Sequence, residues 1–145
     1  MFKRFYDPKN KYSKGILKEY KYWIAEVSYH QHTFGNYIIF CKRKGVEKIS
    51  ELKDKELLEF KKVCKEIENA LSKNKIFKPQ RFNYWQLGNG CHQLHFHGLP
   101  RYSKDKKFGN KIFKDKNYGS DPIWTEVEQD DKTVIEMKEA IKKYL

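Results

Sequence analysis

The chain has 145 residues, a length that suits one domain around one core. Hydrophobic residues make up 39%, no apolar run approaches the length of a membrane span, and Met1-Phe2-Lys3-Arg4 is not followed by the apolar stretch of a secretory leader. Together these exclude a helical membrane protein and predict a soluble, cytoplasmic one with no membrane contact. The net charge of +12 favours polyanions as partners (nucleotides, polyphosphate chains, RNA or DNA), or else marks only a solvated lysine surface.

In chain order, residues 1–20 are basic and aromatic without a clean period and predict an extended N-terminal arm, with Phe2, Phe5, Tyr6 and Tyr12 packing on the domain or on a second subunit. Tyr22 to Ser28 and Asn36 to Lys42 read as two strands, the first with Trp23, Ala25 and Val27 on one face. The hairpin link between them carries His30 and His32. A long helix follows, capped by Ser50 or Asp54 and ending near Lys73-Asn74. Its apolar stripe is Leu57, Phe60, Cys64, Ile67 and Leu71. Such a helix needs a sheet to cover.

Beyond Pro79, Arg81 to Leu87 predicts a third strand, Gly88-Asn89-Gly90 a hairpin turn, and Cys91 to Leu99 a fourth strand. Residues 102–121 form a lysine-rich loop with aromatics interspersed, including a short strand near Lys111-Ile112-Phe113. Pro122-Ile123-Trp124 reads as an anchor. The last helix runs from about Asp131 to Leu145, with Val134, Met137, Ile141 and Leu145 on one face. Three cysteines without a CxxC pair (Cys41, Cys64 and Cys91) predict reduced thiols.

The chemistry concentrates in Cys91-His92-Gln93-Leu94-His95-Phe96-His97-Gly98-Leu99-Pro100-Arg101. On a strand, Gln93, His95 and His97 share one face, expected to be exposed, while Leu94 and Phe96 share the core face. His92 has the core face's parity. Two imidazoles side by side attack, shuttle protons or bind metal. The Leu87-Gly88-Asn89-Gly90 turn offers backbone N–H groups to a phosphate.

This stretch resembles the histidine triad motif, His-φ-His-φ-His-φ-φ followed by Pro-Arg, with His95 and His97 at the second and third positions and Gln93 at the first. The likeness extends over about residues 22–102, including Gly35 to Arg43 and the helix after Ser50-Glu51-Leu52. The arm, the basic loop (103–121) and the last helix (131–145) lie outside it, within a single domain. The resemblance implies an α+β fold, an antiparallel sheet with one long helix packed across it, plus here a C-terminal helix, and commonly a homodimer. It implies a hydrolase or transferase acting on the α-phosphate of a nucleoside phosphate, such as a dinucleoside polyphosphate or a nucleoside phosphoramidate, through a covalent nucleotidyl-histidine. His95 would be the nucleophile. His97 would donate to a phosphate oxygen or the leaving group, and Gln93 would be a neutral hydrogen-bond partner. Asn89 and Gly90 would contact phosphate, and Asn83 would orient the substrate. No cofactor is required; a divalent metal ion would arrive with the substrate phosphate.

Three alternatives use the same residues. A protein with Gln93 at the first position would bind nucleotides without turning them over. His95, His97 and Cys91, with His30 and His32, would bind zinc. The lysines of 104–116, interleaved with Phe108 and Phe113, would hold single-stranded nucleic acid by phosphate contacts and stacking.

Overall fold

The computed structural model describes residues 3–145. Phe2, expected to pack on the domain, lies outside them. Five antiparallel strands form one sheet: β1 (Ile16–Glu19), β2 (Trp23–Val27), β3 (Tyr37–Cys41), β4 (Arg81–Trp85) and β5 (His95–Arg101), in the order β1-β2-β3-β5-β4. β6 (Lys106–Phe108) and β7 (Lys111–Phe113) form a separate two-stranded ribbon. The helices are α1 (Lys3–Tyr6), α2 (Asp54–Lys73) and α3 (Asp131–Lys142). This is the expected α+β architecture.

β2 and β3 are the sheet's spine. Trp23, Ala25, Val27, Tyr37 and Ile39 point to one face and join α2 and α3 residues in the main core. The Trp23 indole N–H donates to the Glu56 carbonyl at 2.8 Å, which pins the first turn of α2 to the sheet. Neither Ser50 nor Asp54 caps that helix. Instead the Glu56 carboxylate accepts from the Lys53 N–H (2.8 Å) and from the Arg43 guanidinium (2.9 and 3.0 Å). The Arg43 bonds hold the Glu56 carboxyl below the usual range.

The buried face of α2 follows the expected stripe except at its start. Ile67 and Leu71 are buried together with Val63 and Ala70, Phe60 and Cys64 pack against the core, and Leu57 is 50% exposed. α3 follows its stripe: Asp130 caps it by accepting from the Thr133 N–H at 2.8 Å, and Val134, Met137 and Ile141 are buried. Asn74, at the end of α2, donates to the Ala140 carbonyl (2.9 Å) and ties the helices together.

Two expectations are corrected by pairing across the sheet. The arm contains a true strand, since β1 pairs with β2 from Ile16 to Glu19; these residues lack alternation, and the partner strand decides. The fourth strand begins at His95, not Cys91, because the 86–94 connection is a loop and not a tight hairpin turn. The lysine-rich loop is also structured. Phe108 and Phe113, both half-buried, pack onto Phe34, with centroids at 5.5 and 4.9 Å.

The second sheet face is covered too. Phe5 from α1 packs on Ile24, Ile38 and Phe40, and burying its ring contributes about 2 kcal/mol. All five residues of β2 are consequently buried, including Glu26, which bonds to Arg4. Burial pushes the Glu26 carboxyl up to about 7.

Candidate active site

His95 and His97 lie on the second face, in register with Phe40 and Ile38 of β3, with Trp85 of β4 opposite His97. Both are buried, at 7 and 9% exposed, rather than on an open face as expected. Their ring centroids are 5.4 Å apart. Gly98 makes this strand possible. A Cβ there would lie 2.1 Å from the Tyr37 ring, so the position after the second histidine must be glycine for β3 and β5 to pair.

The two imidazoles are held differently. His95 Nδ1 lies 2.7 Å from the Gln93 carbonyl, which has no proton to give, so the ring nitrogen carries one and donates it. That leaves Nε2 with a lone pair and no hydrogen-bond partner among the described residues. The Phe40 ring stacks on His95 at 4.9 Å and fixes its plane. Burial pushes the His95 pKa below its ordinary value. It pushes His97 down to about 3, with further lowering from the neighbouring His95 and His32 and from Arg4. Both rings are therefore neutral at pH 7. Arg4 sits over Phe40, 5.2 Å from its centroid, and is the nearby fixed cation.

His95 and His97 open onto a cavity of about 390 Å³ whose other walls are the 87–91 loop and Trp124. Asn89 and Gly90 line it, where the sequence places them. Gly88 turns the loop at φ +68°, a conformation suited to glycine. The N–H groups of residues 88–91 make no hydrogen bond among the described residues and are free to receive oxygen acceptors.

Two expected site residues stand elsewhere. The Gln93 amide donates to the Cys41 and Arg43 carbonyls (2.7 and 2.9 Å) and accepts from the Gly45 N–H (3.3 Å). Gln93 precedes the strand, so strict alternation does not hold it on the histidine face; its main-chain carbonyl, not its side chain, serves His95. Asn83 shares the histidine face but accepts from the Arg101 guanidinium at 2.7 Å and borders a separate cavity. Arg101 also forms a bidentate pair with Asp115 (2.7 and 3.0 Å) and donates to the Ser120 and Asn117 carbonyls (2.6 and 2.9 Å). It clamps the segment that carries Trp124.

His32 stands beside the histidine pair and Trp124 walls its cavity, in roles the sequence left open. The 28–36 connection is fastened by Gln31, whose amide donates to the Ser28 and Asn36 carbonyls and accepts from the Gly35 N–H. This places the His32 ring 5.9 Å from His97 and 4.2 Å from Trp124, stacked on the indole. Trp124 in turn lies 5.8 Å from Trp85. The histidine pair in Tyr29-His30-Gln31-His32 was the available signal, but nothing in the sequence aims it at residue 97. Among the described residues no group of three or more His, Cys, Asp or Glu is arranged to hold a metal ion, so the zinc alternative lacks its ligand set. No described helix is long and apolar enough to cross a membrane.

No protein-family model matches the sequence, and no curated protein matches it. Solved structures do match. A histidine triad protein from Marinobacter aquaeolei VT8 superposes with a TM-score of 0.64 at 16% identity, covering 95% of this chain and 94% of its own. A hypothetical histidine triad nucleotide-binding protein from Sulfolobus tokodaii gives 0.64 at 18% identity, over 89% and 81%. The diadenosine triphosphate hydrolase of Plasmodium falciparum gives 0.65 at 13% identity, over 90% and 76%. At these identities the likeness is one of fold, and it spans nearly the whole chain: this protein has the histidine triad fold.

Proposed function

We propose that the protein transfers or hydrolyses nucleotidyl groups, acting at the α-phosphate of nucleoside phosphates through a covalent intermediate on His95. The observation that carries this reading is the Gln93 carbonyl 2.7 Å from His95 Nδ1, which leaves the Nε2 lone pair beside a cavity edged by free loop N–H groups. The names of two structural neighbours, a nucleotide-binding protein and a diadenosine triphosphate hydrolase, agree with it.

In the first step His95 Nε2 attacks the α-phosphorus. A P–N bond forms, and the bond from phosphorus to the leaving group breaks with its electron pair going to that group. The proton stays on Nδ1, donated in a hydrogen bond to the Gln93 carbonyl, which stabilises the positive charge of the phosphorylated ring. The N–H groups of residues 88–91 receive the non-bridging oxygens. The N–H of the neutral His97 ring hydrogen-bonds to the departing oxygen or nitrogen, and a departing amine takes its proton from solvent. In the second step water attacks phosphorus and loses a proton to solvent, the P–N bond breaks with its electron pair returning to Nε2, and the nucleoside monophosphate leaves with His95 restored. A dinucleoside polyphosphate and a nucleoside phosphoramidate both fit this scheme.

The test is AMP release from diadenosine triphosphate and from adenosine phosphoramidate by wild type and His95→Ala. Release by wild type and its loss in the variant support the nucleophile. Binding of AMP without release by wild type identifies a nucleotide-binding protein instead.

A further inference from the structure

A second cavity, of about 280 Å³, lies across Trp124 from the histidine cavity, and Trp124 belongs to the walls of both. Gln31, His32 and Thr125 line it, with Lys114 and Lys116. His32 is 8% exposed. Its Nδ1 accepts from the Thr125 N–H at 2.9 Å, so in the neutral ring the single proton sits on Nε2. Burial pushes its pKa down to about 4, which keeps the ring neutral. That Nε2–H is buried without an acceptor. A buried donor left without an acceptor is unfavourable, and a ligand oxygen brought to it would satisfy it.

The charges around it suit an anion. Lys116 has no ion pair among the described residues, and Lys114 approaches only Asp105, at 3.8 Å. The cavity's own carboxylate, Asp115, is neutralised by Arg101. Glu126, nearby, accepts from the Trp124 indole N–H at 2.7 Å. The His32 ring lies 5.9 Å from that of His97, which lines the histidine cavity.

We propose that His32, Lys114 and Lys116 form a second phosphate subsite, which holds the phosphate chain of the leaving group while the α-phosphate faces His95. This rests on the nucleotidyl-transfer reading above for its place in a reaction, though not for its affinity. The ligand class is a polyphosphate. The His32 Nε2–H donates to a phosphate oxygen near the bridge, and the two lysines neutralise the distal phosphates. Trp124, 47% exposed, stands between the two positions.

The experiment is a titration of the whole protein, followed by tryptophan fluorescence, with inorganic tripolyphosphate, with AMP, and with a single-stranded oligonucleotide, each at two salt concentrations. Wild type, His32→Gln and the Lys114→Ala/Lys116→Ala double variant are compared. The expected result is that each variant loses about tenfold or more in affinity for tripolyphosphate while its affinity for AMP changes less than twofold, tenfold being about 1.4 kcal/mol. Equal weakening of both ligands, or of neither, overturns the subsite. Weakening toward the oligonucleotide alone overturns it in favour of a nucleic-acid surface. Thermal unfolding midpoints of the variants separate lost affinity from lost fold. Because the readout is binding, a wild type that binds tripolyphosphate in this pattern but releases no AMP refutes the catalytic reading and leaves the subsite standing.

Discussion

Replacing Arg101 with leucine tests how the site is held. The Arg101 guanidinium makes five hydrogen bonds, to Asp115 twice, to Asn83, and to the Ser120 and Asn117 carbonyls. The Arg101 and Asp115 side chains are each only 3% exposed. Leucine leaves the Asp115 carboxylate buried with only the Tyr102 N–H at 3.1 Å. Removing one partner of a buried pair costs about 3–5 kcal/mol, a large share of the roughly 5–15 kcal/mol that holds a domain together. In urea, with a slope of about 2 kcal/mol per molar, the midpoint falls by about 2 M. The double variant Arg101→Leu/Asp115→Leu removes the stranded charge and recovers at least about 2 kcal/mol of the loss. The same release frees the 115–121 segment that leads into Trp124, so tryptophan emission shifts to the red and becomes easier to quench. An Arg101→Leu protein within about 1 kcal/mol of wild type, or a double variant as unstable as the single one, refutes the clamp.

Three further outcomes are expected. Gly98→Ala sets a methyl group 2.1 Å from the Tyr37 ring, wedges β5 from β3, and costs about 3 kcal/mol or more in urea unfolding; a loss under about 1 kcal/mol contradicts the packing. Gln93→His, which completes the triad pattern by sequence, does not raise AMP release, because position 93 aims its side chain at the Cys41 and Arg43 carbonyls; a severalfold gain in kcat shows that the side chain reaches the cavity. Stability falls as pH drops from 6.5 to 5. His32 and His97, held down to about 4 and 3, stay neutral when folded while their unfolded forms take up protons below about 6.5, each contributing roughly 1.4 kcal/mol per pH unit. Glu26, pushed up to about 7, runs the other way, keeping its proton when folded where the unfolded carboxyl has lost it, so it costs stability as pH rises through this window. Two groups outweigh one, and His32→Gln flattens the slope; urea unfolding that gives equal stability at pH 5 and 6.5 removes the argument.

What the sequence by itself determined is whatever rests on local periodicity. Trp23 to Val27 and Tyr37 to Cys41 had to be strands, α3 had to bury Val134, Met137 and Ile141, and Leu94-His95-Phe96-His97 had to send two imidazoles to one side and two apolar groups to the other. Each of these follows from side-chain geometry within one element. Tertiary structure decided everything that needs a partner from elsewhere in the chain. Ile16 to Glu19 became a strand because β2 offered an unpaired edge. Leu57 stayed outside and Val63 went in because the seating of α2 on the sheet, through Glu56, Trp23 and Arg43, set the edges of its stripe. Gln93 left the histidine face because the strand starts only at His95. His32 and Trp124 reached His97 through two connections, one fastened by Gln31 and the other by Arg101. Such contacts have no period to read. They arise because buried polar groups must find partners, and only the folded chain determines which partners lie within reach.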